Sequence, residues 1–200
     1  MSRVSGVILA AGASTRLGQP KQLLDLAGEP LLRHTVRHAL ASNLDQVVLV
    51  LGARAAEIDD AVGYHGQRIV VNPIHNEGQS TSLKLGLESI DSDADAVLFL
   101  LGDQPGVTPA VINALIERFN ASNVQIVQAR YQNGPGNPAL FARSLFPELL
   151  AVDGDEGARS VIRHHRDSII FADFPDRPIP HDVDTIDDYQ TLLATWDAPL

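Results

Sequence analysis

Short runs of apolar, often β-branched residues alternate along this chain with longer stretches whose apolar positions recur every three or four residues. The first pattern is that of strands buried on both faces and the second that of amphipathic helices; their alternation predicts a layered α/β domain. Residues 4–10 read as the first strand and residues 30–42 as the first substantial helix. A second buried strand at 46–51 (Gln-Val-Val-Leu-Val-Leu) is closed by Gly52, and a short helix over 55–62 follows it. Next come a strand at 68–71 and a helix at 81–90, with Leu83, Leu87 and Ile90 on one face and Ser or Thr caps near its start. The most apolar run, 96–101 (Ala-Val-Leu-Phe-Leu-Leu), belongs at the centre of the sheet. A helix over 109–120 begins with Pro109 in its first turn, with Thr108 as its cap. A strand at 124–130, a helix at 156–165, a strand at 168–172 and a terminal helix at 185–195 complete the pattern, and the Pro-rich stretch 174–180 reads as a loop. Ligands of open α/β sheets gather beyond the carboxyl ends of the strands, so the loops after Ala10, Leu51, Val71, Leu101 and Arg130 should share one site.

The first of these loops carries the strongest chemical signal. The run Val7 to Ala11 breaks into a segment holding Gly12, Ser14, Thr15, Arg16, Gly18 and Lys21. Small residues free backbone N–H groups to ring an anion, and Arg16 and Lys21 supply fixed positive charge, a combination suited to a polyphosphate. The spacing matches neither G-x-x-x-x-G-K-[ST] nor G-x-G-x-x-G, so a dinucleotide-dependent dehydrogenase is disfavoured. The plainer alternative is an ordinary strand-to-loop connection with two solvated cations.

Composition narrows the reading. Two hundred residues, 44% of them hydrophobic, make one domain spanning 1–200 with a sizeable core. Without cysteine the chain has no disulfide, thiolate metal site or cysteine nucleophile, which fits a reducing cytoplasm. A net charge of −10 argues against nucleic acid as partner and makes the clustering of Arg16 and Lys21 stand out. No stretch is apolar for long enough to span a membrane, and 7–11 is too short for a signal-peptide core.

Two further loops carry candidate chemistry. Asp103, in Leu-Gly-Asp-Gln-Pro, is the first carboxylate past the central strand, placed to hold Mg²⁺ beside phosphates or, more plainly, to form a turn or cap. Beside a phosphate loop the metal reading is preferred. The stretch 76–82 (Asn-Glu-Gly-Gln-Ser-Thr-Ser) offers amides, hydroxyls and backbone at a helix start, suited to a base edge or ribose; capping by Ser80 or Ser82 is compatible with that. Lys84, one turn further, reads as a solvated lysine. In the segment 181–189, Asp182 and Asp184 share a side of extended chain, Thr185 or Asp184 can cap the terminal helix, and Asp187 and Asp188 complement its dipole; Asp184 is the candidate second metal ligand. His34 and His38 stand four apart on a helix without an H-E-x-x-H pattern and read as a surface pair.

With these residues in view, the chain resembles the nucleotidyltransferases that build molybdenum cofactors, the cytidylyltransferase branch in particular. The family's opening L-A-A-G-x-S-x-R-x-G-x-x-K is met at every fixed position from Leu9 to Lys21. Gly78-Gln79-Ser80-x-Ser82-Leu83, Gly102-Asp103-Gln104-Pro105, Gly154-Asp155-x-Gly157-Ala158-Arg159 and Asp182-Val183-Asp184-Thr185 follow in family order. The resemblance implies a three-layer α/β/α sandwich, a Rossmann-like nucleotidyltransferase fold with a mostly parallel mixed sheet. It implies nucleotide contacts from Leu9, Ala10, Ala11, Gly12, Ser14, Arg16 and Lys21, joined by Gly78, Ser80, Ser82 and Asp103. Lys21, Arg16 and Asp103 are the implied catalytic groups, and Asp103 and Asp184 the implied Mg²⁺ ligands. Gln104 and Asn137 are assigned to the acceptor side, although relatives commonly carry Gly-His-Pro where this chain has Gly136-Asn137-Pro138. Ala11 leans toward the cytidylyl branch, since guanylyl relatives tend to have a second glycine. The implied reaction transfers CMP from CTP to the terminal phosphate of molybdenum-bearing molybdopterin, with a molybdoenzyme or its maturation factor as recipient. Guanylyl transfer, nucleotidyl transfer to a sugar or polyol phosphate, and a non-catalytic nucleotide-binding accessory role are the rivals.

Overall fold

The computed structural model describes residues 1–14 and 17–196. The chain opens with β1 (Val4–Ala10), then a small antiparallel ribbon of β2 (Asp25–Leu26) and β3 (Glu29–Pro30). There follow α1 (Leu31–Leu40), β4 (Gln46–Leu51), α2 (Ala55–Val62), β5 (Arg68–Val71), α3 (Gln79–Glu88), β6 (Ala96–Leu101) and α4 (Pro109–Asn120). The last part contains β7 (Ile126–Tyr131), β8 (Gly134–Ala142), α5 (Phe146–Leu150), α6 (Arg159–His164), β9 (Ile170–Phe174) and α7 (Ile186–Thr195).

Seven strands form one sheet in the order β5-β4-β1-β6-β8-β7-β9, so the most apolar run, β6, lies in the middle. β1 pairs in parallel with β4 (Val7 opposite Val48) and with β6 (Val7 opposite Phe99). β8 runs antiparallel to both β6 and β7, and β9 pairs in parallel with β7. The sheet is therefore mixed and mostly parallel. Alternate side chains enter opposite cores. Ile8, Leu49, Leu98 and Leu100 pack with Leu32 and Val36 of α1 and Ile112 and Leu115 of α4. Val7, Val48, Val50, Val97 and Phe99 pack with Leu83 and Leu87 of α3, Leu149 of α5 and Val161 of α6. Helices on both faces explain why the inner strands are apolar throughout, not alternating. α3 lies especially close to the sheet, because a Cβ at Gly86 would fall 2.4 Å from Val7 Cγ1.

Several expectations require correction. The stretch 134–141, to which the sequence pattern assigns no strand, is most of strand β8. Gly134, Pro135, Gly136 and Pro138 disguise it, since proline and glycine ordinarily break strands. The ladder tolerates them through a bulge: Gln128 pairs with Ala139 and Ala129 with Gly136, leaving Asn137 and Pro138 unopposed. His34 and His38 are not a surface pair; both are buried, their ring nitrogens on the carbonyls of Leu26 (2.7 Å) and Val107 (3.2 Å). They lie on the same helix face as Leu31 and Thr35, and the helical period outweighs their polarity. Thr108 holds the N-cap position of α4 but makes no capping bond; its hydroxyl accepts from Arg177 at 3.0 Å. Lys84 is paired with Asp153 at 2.9 Å. Among the described residues no helix is long and apolar enough to cross a membrane.

Candidate functional site

The carboxyl ends of β1 and β6 open into one pocket, lined by Leu9, Ala10, Ala11, Gly12 and Lys21 from the first loop and by Leu101, Gly102 and Asp103 from the second. Gln79, Ser82, His75, Gln22 and Asp155 complete its wall. The two strand ends approach closely because Gly102 has no side chain: a Cβ there would sit 2.8 Å from that of Ala10.

The loop after β1 is tied back on itself. The Gln22 amide donates to the carbonyls of Ala10 (2.8 Å) and Gly12 (3.0 Å), which fixes the loop's root. Ser14, in the left-handed region with φ 53°, accepts from the Lys21 backbone N–H at 3.0 Å through its hydroxyl. That bond closes the loop and aims Lys21 across the strand ends. Its ammonium donates to Asp103 and, at 2.8 Å, to Asp184. Burial opposes a charge on Lys21, yet the charges and hydrogen bonds of Asp103 and Asp184 outweigh it and raise its pKa above the ordinary lysine value.

Asp184 arrives from far along the chain through an apolar anchor. Val183 is fully buried in a cluster with Leu17 of the first loop, Leu24, Leu26, Leu31 and Leu192. With Val183 pointing inward, Asp182 and Asp184 flank it; Asp184 meets Lys21, and Asp182 accepts from the Gln104 amide at 2.6 Å. Burial raises the Asp182 pKa, and the nearby carboxylates of Asp103 and Asp184 add to the rise.

A second group forms the root of α3. Gly78 has φ 116°, and Ser80 and Ser82 are buried. The side-chain amide of Asn72, just past β5, donates to Thr81 Oγ1 (2.8 Å) and Ser82 Oγ (2.9 Å) and so anchors the helix start to the sheet edge.

Of the residues singled out from the sequence, Leu9, Ala10, Ala11, Gly12, Lys21, Ser82 and Asp103 line this one pocket. Asp184 joins it through Lys21, Ser14 shapes the loop, and Gly78 and Ser80 shape the start of α3. Asn137 lines an adjoining pocket with Leu9, Gln79, Leu101 and Arg159. Gln104 is buried between Asp182 and the Pro180 carbonyl and lines neither. Arg16, with Thr15, lies outside the described residues. Gln22, Asn72, His75 and Asp155 are additions; only Asp155 had a signal, its glycine-flanked turn. Asp103 and Asp184 converge on one ammonium, so their carboxylates address a single cationic position. Hard oxygen donors of that number fit a divalent ion completed by phosphate oxygens and water. Among the described residues no group of three or more His, Cys, Asp or Glu side chains is arranged to hold a metal.

A glycine-bearing loop, a partly buried lysine and two carboxylates meet at the carboxyl end of a mixed sheet, where open α/β sheets gather their ligands. Residues 6–169 match the MobA-like NTP transferase domain, and the chain belongs to that family as a nucleotidyltransferase. It is 30% identical over 197 residues to nicotine blue oxidoreductase of Paenarthrobacter nicotinovorans, covering 95% of this chain and 96% of that one. The purine catabolism protein PucB of Bacillus subtilis is 32% identical over 79% of this chain and 80% of its own length. A probable molybdenum cofactor guanylyltransferase of Thermococcus sibiricus is 29% identical over 70% of this chain and 68% of its own. Among solved structures, a homologue of Rv0371c from Mycobacterium sp. strain JC1 superposes with a TM-score of 0.88 at 39% identity, covering 96% of both chains. Rv0371c of Mycobacterium tuberculosis H37Rv, in complex with manganese, superposes with a TM-score of 0.84 at 34% identity, covering 98% of this chain and 100% of that one.

Proposed function

We propose that this protein transfers CMP from CTP to the terminal phosphate of molybdenum-bearing molybdopterin and releases pyrophosphate in the cytoplasm. The observation that carries the reading is the Lys21 ammonium held between Asp103 and Asp184 at the lip of a pocket floored by the loop after β1. An acceptor phosphate oxygen attacks the α-phosphorus in line; the new P–O bond forms as the bond to pyrophosphate breaks. No protein nucleophile is required, because phosphoryl-type transfer rests on positioning and charge stabilisation. The backbone of residues 11–14, with Arg16, grips the triphosphate. Lys21 faces the charge that develops at the α-phosphate, and the stretch 78–82 holds base and ribose. Asp103 and Asp184 would hold Mg²⁺, which when bound supplies neutralisation of phosphate charge. Asn137 faces the acceptor from the adjoining pocket; Gln104 acts on that side only through Asp182.

Incubation with molybdopterin, Mg²⁺ and each of CTP, GTP and ATP, followed by mass analysis, tests this. A CMP adduct with stoichiometric pyrophosphate is expected. A GMP adduct moves the assignment to guanylyl transfer, and adducts formed only with sugar or polyol phosphates replace the acceptor. Tight NTP binding without pyrophosphate on any acceptor leaves an accessory role.

A redox reading is favoured by one observation, the near full-length match to a protein named as an oxidoreductase. It predicts electron transfer in place of pyrophosphate release. The loop after β1 lacks the G-x-G-x-x-G that cradles a dinucleotide, and a redox role has no need of paired carboxylates on Lys21.

A further inference from the structure

The start of α3 has no cap of its own. Gly78 occupies the N-cap position and brings no side chain, and no capping bond is made there. A helix end of this kind leaves its first N–H groups without partners. They are supplied from a turn some seventy residues further along the chain. The Gly154 carbonyl accepts from Ser80 N–H at 3.0 Å, and the Asp155 carboxylate accepts from Gln79 N–H at 3.2 Å. A third tie lies one turn down, where Lys84 pairs with Asp153 at 2.9 Å.

The contact is too close for side chains. A Cβ at Gly78 would stand 2.6 Å from the Gly154 carbonyl oxygen, and a Cβ at Gly157 would stand 2.8 Å from Gln79 Oε1. Glycines on both sides let the turn close onto the helix start and press against the Gln79 side chain. Gln79, Ser82 and Asp155 all face the pocket that Lys21 and Asp103 share.

The charge of this cap has a consequence. A helix N-terminus ordinarily attracts phosphate. Here a carboxylate of the protein already occupies that position, so a phosphate arriving at α3 would meet a negative group. At Lys21 the Asp103 and Asp184 carboxylates face an ammonium, whereas Asp155 makes no ion pair among the described residues and faces backbone N–H. We propose that Asp155 is a positioning residue for the nucleotide: it caps α3 from a distant turn, fixes Gln79 for the base and ribose, and excludes phosphate from the helix end. The triphosphate is thereby directed to Lys21. This inference rests on the nucleotide-binding reading above and adds an orientation and the group that enforces it.

Calorimetric binding of CTP and of inorganic tripolyphosphate separates the possibilities. Loss of one charge-assisted bond and of the order it imposes on Gln79 corresponds to about tenfold in affinity. Asp155→Ala is expected to weaken CTP about tenfold while leaving tripolyphosphate binding unweakened. Asp155→Asn keeps an acceptor for the Gln79 N–H and should recover most of the CTP affinity. Gln79→Ala leaves the backbone cap in place and should reproduce the selective loss, so the inference stays testable if Asp155→Ala does not fold. Unchanged CTP binding in folded Asp155→Ala, or equal losses for CTP and tripolyphosphate, overturns it. A wild-type protein that binds no nucleoside triphosphate overturns the underlying functional reading instead.

Discussion

Lys21 is held in tension between burial, which disfavours its charge, and two carboxylates that hold the proton on it. The same pair of acids is the proposed Mg²⁺ site, where the ammonium and the ion would compete for the same partners. Lys21→Ala should lower turnover by about 100-fold or more, as loss of one key charge-stabilising donor can. Pyrophosphate release by the folded variant is the measurement, and near-normal turnover would remove Lys21 from the chemistry. His38 makes a second prediction, about stability. Burial of the ring lowers its pKa, and nearby His34 and Arg37 add to this, against bonds to the Val107 and Pro105 carbonyls that raise it. The unfolded chain therefore binds a proton where the folded one does not, and stability falls as pH drops below about 6.5, levelling beneath the folded value. His38→Gln cannot titrate, so its Tm should depend less on pH across that window than the parent's. At this scale Lys21 and Asp103 were legible, because a charged group in a glycine-bearing loop just past an apolar run stands out, whereas Asp155 was not singled out. Gln22 and Asn72 were not: a neutral amide is recognised as a brace only by the carbonyls and hydroxyls it reaches.

Among the elements, α7 shows how a local signal serves a distant site. Thr185 accepts from Asp188 N–H, and the Asp188 carboxylate accepts from the Thr185 backbone N–H and also from that of Asp184. This capping box fixes the residue that presents the Asp184 carboxylate to Lys21. Thr185→Ala should cost about 1 kcal/mol by denaturant titration. It should also reduce turnover by loosening Asp184, which a helix serving only stability would not do. Thr185 was legible as one of two candidate caps, with Asp188 read only as a complement to the dipole; the bounds of β1, β4, β5, β6, α2 and α4 were legible from their apolar patterns. β8 was not readable, since its bulge places Asn137 and Pro138 where no ladder partner is needed. α3 begins at Gln79, before its own Ser and Thr residues, because its cap comes from Gly154 and Asp155.

Across the whole molecule, the site is an assembly of loops carried by one sheet, and its ligand chemistry is separable from its fold. The Asp103 and Asp184 carboxylates are already paired with Lys21, so folding does not depend on a metal to relieve their repulsion. Chelation with EDTA should abolish pyrophosphate release, and added Mg²⁺ or Mn²⁺ should restore it, while Tm without nucleotide shifts little. A large drop in Tm on chelation would show instead that the ion is structural. Local features follow from the sequence alone: buried runs become strands, amphipathic periods become helices, and small residues cluster after β1. These follow from patterns within a dozen residues. Tertiary structure alone decided which distant pieces meet. Lys21 reaches Asp184 because Leu17 and Val183 share one buried cluster, and α3 receives its cap because glycines on both sides permit contact. Such meetings depend on the complementary shapes of surfaces far apart in the chain, and no periodicity encodes a shape that exists only once the sheet has formed.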